Sequence, residues 1–566
     1  MGIRYFYPWI KRHFHTQCIQ THLPQDIDTL AIDMNGLFHE SLEKIHSSTT
    51  NTSFSHVLTS KNNVILFKQI CERLEDIKNH IKPRKKLILC VDGIAGMGKV
   101  HQQRQRRYQN KFINGVASSQ RDTGFDINNF TPGTKLMDFL TKYIDWYIRN
   151  MMTYHPDWQS LEVVFSNEKV QGEGEHKLIQ YIRKYTLPTE RVCIVGNDAD
   201  LLLLGLLSRH SMIWVARIYR QPQPIYEYVD IHRLKDALLD HLRWEQPLLT
   251  VDEPVFHIQN TLYDFVTITF LMGNDFLPAI PCLCFQNGTF DKVLSLYRQN
   301  AIEHGNLLYK TTTDNISFHP KAWVGFFEKL SQSEAEFYET LYNSQTSFYP
   351  DPSVLKNMTS DTERFHFNFQ AYRIEYYQKR QVESVEEMIS SYLRGIAWTI
   401  NYYEQGIPDW TWFYPYYYTP LFYDLHSYVL NHQRGLCTIR FQLNDIVTPF
   451  LQLLFILPHH SRSLLPVPLS SLLDHSSVLG KYYPSSVHMD VTGKTKECDG
   501  ILQLPIIRFQ DFKMQYDLHI GQVSPTELKR NIKGKHFQYR TDISKPYIFH
   551  SFYGSIPDCP IYMIIS

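Results

Sequence analysis

Five short, almost wholly apolar runs, alternating with helical patterns, constrain the first half of this chain more than any other feature. Thr29–Ile32, Lys86–Val91, Leu161–Phe165, Arg191–Val195 and Met212–Ala216 read as strands, and helical stretches run over roughly 63–81, 99–117, 133–152, 174–185 and 198–208. Strands with no polar face need cover on both sides, which is the signature of a parallel sheet clad in helices. The expected fold is therefore α/β, with a mostly parallel central sheet flanked by helices. Such sheets place their ligand sites beyond the carboxyl ends of the strands. Residues 344–366 are rich in Ser, Thr, Asn, Asp and Pro and read as a linker region, centred on 346–360. The expected division is 1–345, the linker, and 361–566, a second helical and loop-rich module packed against the first.

Acidic residues recur where those strands end. Asp33 follows TLAI, Asp92 follows LILCV, and Asp198 and Asp200 stand in GNDAD just after VCIV. Glu173 and Glu175 stand in QGEGEHK at a helix start, and Asp275 in LMGNDFLP at the end of an apolar stretch. Neighbouring parallel strands would bring these acids to one edge. Clustered carboxylates repel one another and resist desolvation, and divalent cations remove the penalty. Hard oxygen donors suit Mg²⁺ or Mn²⁺, and two such ions can clamp an in-line displacement at phosphorus. For any single acid, capping a helix N-terminus is the commoner role. Seven acids at four or five separate element ends are harder to explain as caps.

Residues 93–121 contain no acid, and GKVHQQRQRRYQNK lies within them. Lys99, Gln103, Arg106, Arg107 and Asn110 recur at helical spacings and can share one face. Guanidinium forks suit phosphate, so this face is a candidate 5′-phosphate pocket directly after Asp92; the alternative is a solvated basic helix. Gly93–Lys99 has the spacing of a P-loop, but Val100 stands where a metal-binding hydroxyl is needed. The aromatic crowd from Trp410 to Tyr418 would suit stacking of single-stranded bases, although most such rings serve packing.

Composition narrows the classes. Lys and Arg together number 57, as do Asp and Glu, so bulk charge does not itself call for nucleic acid. Nine scattered cysteines do not form a secreted disulfide framework, which suggests a reducing compartment, the cytoplasm first and the nucleus as the alternative. Cys282 and Cys284 lack a second pair at zinc spacing. No signal peptide, lipid anchor or bilayer-length apolar run is visible, and no membrane is expected.

Taken in order, the motifs resemble the XRN family of 5′→3′ exoribonucleases. The strings that carry the likeness are MGIRYFYPWI, LAIDMNGLFHE, VDGIAGMGKVHQQRQRRY, FDINNFTPGTKLM, QGEGEHKLIQYIR, VGNDADLLLLGL and FLMGNDFLPAIP. In the second module they are GIAWTINYYEQGIPDWTWFYPYYYTPL, TPFLQLLFILPHHSRSLLP and KYYPSSVHMDVTGK. The resemblance implies a PIN/FEN-like nuclease core. It implies that Asp33, Asp92, Glu173, Glu175, Asp198, Asp200 and Asp275 hold catalytic Mg²⁺ (or Mn²⁺), two ions in all. It further implies that Lys99, Gln103, Arg106 and Arg107 bind a 5′-monophosphate, and that His39 and a Trp, Trp410 or Trp412, stack on the RNA base. The implied activity is processive release of 5′-mononucleotides from single-stranded 5′-monophosphorylated RNA by a monomer. Gly96-Met97-Gly98 replaces a proline-containing stretch of the family and predicts a looser loop before the pocket. A flap-type endonuclease and a non-catalytic RNA-binding scaffold of the same fold are the alternatives. Protein partners are not readable.

Overall fold

The computed structural model describes residues 2–23, 26–48, 60–117, 125–219, 223–242, 258–311, 315–344, 349–360, 365–437, 439–444 and 447–565. Its centre is a nine-stranded sheet. The strands are β1 (Ile19–Gln20), β2 (Thr29–Asp33), β3 (Lys86–Cys90), β4 (Glu162–Ser166), β5 (Val192–Val195), β6 (Ile213–Tyr219), β7 (Ile225–Asp230), β8 (Phe537–Thr541) and β9 (Ile561–Ile565). In space they run β1-β7-β6-β5-β2-β3-β4-β8-β9. The five expected strands are the five contiguous central ones, all parallel. Antiparallel neighbours extend both flanks. The α/β architecture with a mostly parallel centre is thus observed.

The apolar runs explain this centre. Ala31, Ile88, Val164 and Ile194 belong to one core, and Leu30, Leu87, Val163 and Cys193 to another. Successive residues of one strand thus feed two opposite cores, as the two-residue alternation of strand side chains requires. Helices Phe6–Cys18, Gly174–Tyr185 and Asp200–Leu207 cover the first face, and Ser60–Ile81 and Lys135–Tyr154 the second.

The second half of the chain does not stand apart. The first core runs from Ile3 to Leu436, and β8, from the far end of the sequence, pairs with β4 with Phe537 opposite Phe165. The expected helical character of the second half opens with two helices, Phe369–Lys379 and Val385–Gln405. The break falls at Gln381, with a left-handed φ of 51°, and Ser384 caps the second helix by accepting from Glu387 N–H at 3.2 Å. Within the expected linker, Pro352–Asn357 is helical and Met358–Ser360 pairs with Phe365–Phe367. No helix among the described residues is long and apolar enough to cross a membrane.

Candidate active site

The parallel register brings the strand-end acids together. Asp33 is the last residue of β2, Asp92 follows β3, and Asp198 and Asp200 follow β5. Glu175 enters from the first turn of the Gly174–Tyr185 helix. Carboxylate oxygens of Asp33, Asp92 and Glu175 all lie within 4.8 Å of one another, and so do those of Glu175, Asp198 and Asp200. Glu175 belongs to both groups. Two unit charges at this spacing repel by roughly 3–4 kcal/mol at an effective dielectric of about 20, so five ionised acids cannot coexist here without a counter-charge. No described residue forms a salt bridge to Asp33, Asp92, Glu175 or Asp200. Desolvation, then the neighbouring Asp92, pushes the Asp33 carboxyl up to about 8. Desolvation and Glu173 hold Glu175 well above the ordinary range, and desolvation and Asp198 do the same to Asp200. Asp200 Oδ1 is buried with no hydrogen-bond partner. An all-carboxylate donor set with an orphaned oxygen fits hard divalent cations and not zinc.

Asn35, which the sequence did not single out, clamps this edge. Its Nδ2 donates to Asp92 Oδ2 at 2.8 Å, its Oδ1 accepts from Asp92 N–H at 2.9 Å, and its own N–H donates to Asp33 Oδ1 at 3.2 Å. Gly174 N–H adds a bond to Asp92 Oδ1 at 2.7 Å. Charge-free donors of this kind fix the carboxylates without neutralising them.

Glu173 and Asp275 are placed differently. Lys99 Nζ bridges them, in short contacts to Glu173 Oε2 and Asp275 Oδ2. Gln102 Nε2 at 2.8 Å and Arg106 at 3.3 Å also donate to Asp275. Burial opposes ionisation of Asp275, but Lys99 and Arg106 overcome it and hold its carboxyl at about 2. Glu173 Oε1 accepts from the Tyr402 hydroxyl at 3.0 Å. Neither acid belongs to the two converging groups; both are members of a buried, charge-compensated cluster beside them.

The basic helix, Met97–Ala117, therefore divides its labour. Lys99 and Arg106 face Asp275, and Gln103 Oε1 accepts from Gln452 Nε2 at 3.2 Å. Arg107 donates to Thr131 Oγ1 at 2.7 Å, while its Nε is buried with no partner. Burial lowers Arg107 to about 10, still cationic at neutral pH. Arg104, off the expected face, donates to Pro505 O at 2.6 Å and contacts Tyr482 O, so the later half of the chain clamps this helix. The preceding loop is not loose. Gly93 N–H donates to Gly172 O at 2.9 Å, Gly172 N–H to Ile94 O at 2.8 Å, and Met97 N–H to Trp410 O at 2.9 Å.

Comparison with known proteins bears on this geometry. The model of the XRN 5′-3′ exonuclease N-terminus matches residues 1–218, and that of the Xrn1 helical domain matches 255–364 and 356–547. The chain belongs to the XRN family. It is 27% identical to human 5′-3′ exoribonuclease 1, aligned over 90% of this chain and 33% of that protein. With 5′-3′ exoribonuclease 1 of Saccharomyces cerevisiae it shares 25% identity over 98% of the chain and 46% of the relative. With the Drosophila melanogaster 5′-3′ exoribonuclease 2 homolog it shares 22% over 97% and 74%. The chain thus spans between a third and a half of the length of the first two. The catalytic core of Rad2 in complex with DNA aligns at a TM-score of 0.33 and 11% identity.

The remaining XRN motif residues divide by exposure. His39 is exposed and meets Phe130 edge-on at 5.5 Å. Desolvation lowers its imidazole, with Arg107 and Arg106 adding and Asp92 and Glu43 opposing, which favours the neutral ring. Trp410 and Trp412 are only 5% and 8% exposed. Trp412 stacks on Trp398 at 4.9 Å, and Trp410 packs with Ile94 and Met97. Their packing accounts for both rings as core, and neither presents an open face like that of His39. Besides Asn35, sequence reasoning passed over Gln102 and Tyr402. The Asn of DMN, directly after the first acid, was the legible signal for Asn35; Tyr402 carried none.

Proposed function

We propose that this XRN chain is a processive 5′→3′ exoribonuclease acting on single-stranded RNA with a 5′-monophosphate. The observation that carries the reading is the pair of carboxylate groups sharing Glu175, set beside a basic helix in which Arg107 has a buried, unpaired donor. Asp33, Asp92 and Glu175 would hold one divalent cation, and Glu175, Asp198 and Asp200 a second, Mg²⁺ or Mn²⁺ being suited to the oxygen donors. Bound there, two such ions supply water activation and charge neutralisation for displacement at phosphorus. The protein's own groups do the rest. Asn35 and Gly174 N–H orient Asp92, and Tyr402 orients Glu173. Arg107 Nε is available to a terminal phosphate, whose charge the cationic helix favours. His39, neutral and exposed, is available to stack on the first base. A pocket that receives a terminal phosphate beside the acids requires a free end, which makes the attack exonucleolytic from the 5′ side.

The test uses 3′-labelled and uniformly labelled RNA carrying either a 5′-monophosphate or a 5′-hydroxyl, with Mg²⁺ or with EDTA, and sizes the products. Mononucleotides should appear from the monophosphate substrate with Mg²⁺ alone. Internal fragments, or equal cleavage of both ends, would instead identify an endonuclease. Arg107→Ala should erode the preference for the phosphorylated end by about 10-fold or more, the scale of a lost charged hydrogen bond.

A further inference from the structure

We infer that Gly2 is a positioning residue for the Asp198–Asp200 carboxylates, an inference that rests on the metal-binding reading above. Gly2 has φ +58°, and a Cβ built on it would lie 2.3 Å from Asp200 Oδ1 and 2.5 Å from Asp198 Oδ1. Both distances are far inside van der Waals contact, so any side chain here forces something to move. The backbone has little room to retreat. Ile3 and Phe6 are 1% and 0% exposed, and Phe6 N–H donates to Ile3 O at 3.3 Å, so the turn is pinned in the core. Arg4 is tied to Asp499, and Tyr5 is held at a left-handed φ of 62° to complete the turn. The carboxylates must therefore yield. Asp200 is itself only 2% exposed and opens the Asp200–Leu207 helix, so moving its carboxylate disturbs the group it forms with Glu175 and Asp198.

The consequence is selective. Of the two carboxylate groups, it is Glu175–Asp198–Asp200 whose oxygens stand nearest to a Cβ at position 2, while Asp33, Asp92 and Glu175 form the other. A methyl at position 2 should spread the first group and leave the second assembled. The glycine thus lets the backbone form a wall of the site at a distance no other residue tolerates. Tyr5 supplies a control, because its left-handed backbone strains the same turn.

The experiment compares wild type, Gly2→Ala and Tyr5→Gly in the full chain, by calorimetric titration with Mn²⁺ alone, by RNA binding in EDTA, and by metal-free melting. Wild type should bind Mn²⁺ in two events. Gly2→Ala should weaken one event at least 10-fold and leave the other within 2-fold, with RNA binding and metal-free melting preserved; Tyr5→Gly should keep both events. Two unchanged events in Gly2→Ala would overturn the role, and so would a joint loss of Mn²⁺ binding, RNA binding and melting temperature, which marks a merely structural glycine. Absence of Mn²⁺ binding in wild type would sink the metal-binding reading itself and this role with it.

Discussion

Two clusters of carboxylates lie side by side in this protein and are treated in opposite ways. Asp33, Asp92, Glu175, Asp198 and Asp200 converge, with no salt bridge from a described residue to Asp33, Asp92, Glu175 or Asp200. Glu173, two residues before Glu175, and Asp275, in a separate motif, are bridged by Lys99 and supported by Arg106, Gln102 and Tyr402. Burial raises Asp33, Glu175 and Asp200, whereas Lys99 and Arg106 hold Asp275 ionised at about 2. The fold thus supplies an internal cation to Glu173 and Asp275, while no described residue forms a salt bridge to Asp33, Asp92, Glu175 or Asp200.

That contrast can be broken most directly at Asp200. Asp200→Ala should reduce RNA degradation on the order of 10²–10³-fold while RNA binding survives. Because it removes a repelled buried charge, the metal-free melting temperature should rise or hold. Turnover like wild type in an end-labelled assay would remove Asp200 from the site. Lys99→Ala tests the other cluster, since it leaves two buried carboxylates without their shared cation. It should cost about 3–5 kcal/mol in denaturant unfolding, and a loss below about 1 kcal/mol would show that the bridge is not structural.

Asn35→Ala is the intermediate case. It leaves every charge in place but frees Asp92 and Asp33, and the Mn²⁺ affinity should fall by about 10–100-fold, the usual scale for a partner that orients a metal ligand. Titration calorimetry at one pH decides it.

The smallest effect is in the pH profile of the metal-free protein, where Asp33 and Asp275 carry opposite signs. Asp33 has a folded value of about 8, above its unfolded value of about 3.9. Its contribution is therefore present at acid pH and lost as pH rises toward 8. Asp275, depressed to about 2, contributes above its unfolded value and loses that contribution as pH falls toward 2. Melting temperatures in EDTA should decline from mildly acidic pH toward 8, and Mn²⁺ should remove the alkaline decline. A flat profile over that range in EDTA would contradict the repulsion ascribed to the acid edge.

Much of this was readable before the structure. The five central strands start and end within a few residues of the apolar runs, because a strand buried on both faces needs unbroken apolar sequence and shows it. The acids at strand ends were readable for the same reason, since in a parallel sheet those ends share one edge. The flanking strands were not. Residues 537–541, Phe-Gln-Tyr-Arg-Thr, pair with β4 and bury Tyr539 fully, yet their short, mixed pattern resembles many loops. The roles within the basic helix were also hidden. Its spacing put Lys99, Gln103, Arg106 and Arg107 on one face, but could not tell that Lys99 and Arg106 turn to Asp275 while Arg107 keeps a spare donor.

The sequence by itself determined the parallel core, the acidic edge and the membership of the chain in its family, because each rests on local pattern or on motif order. Only the tertiary structure decided which acids are compensated and which are left to repel, and it did so through residues far apart in the chain: Lys99 against Asp275, Tyr402 against Glu173, Gly2 against Asp200. Charge compensation is a matter of distance in space. One-dimensional spacing constrains that distance within a helix or a strand and says nothing of it between elements that meet only when the chain folds.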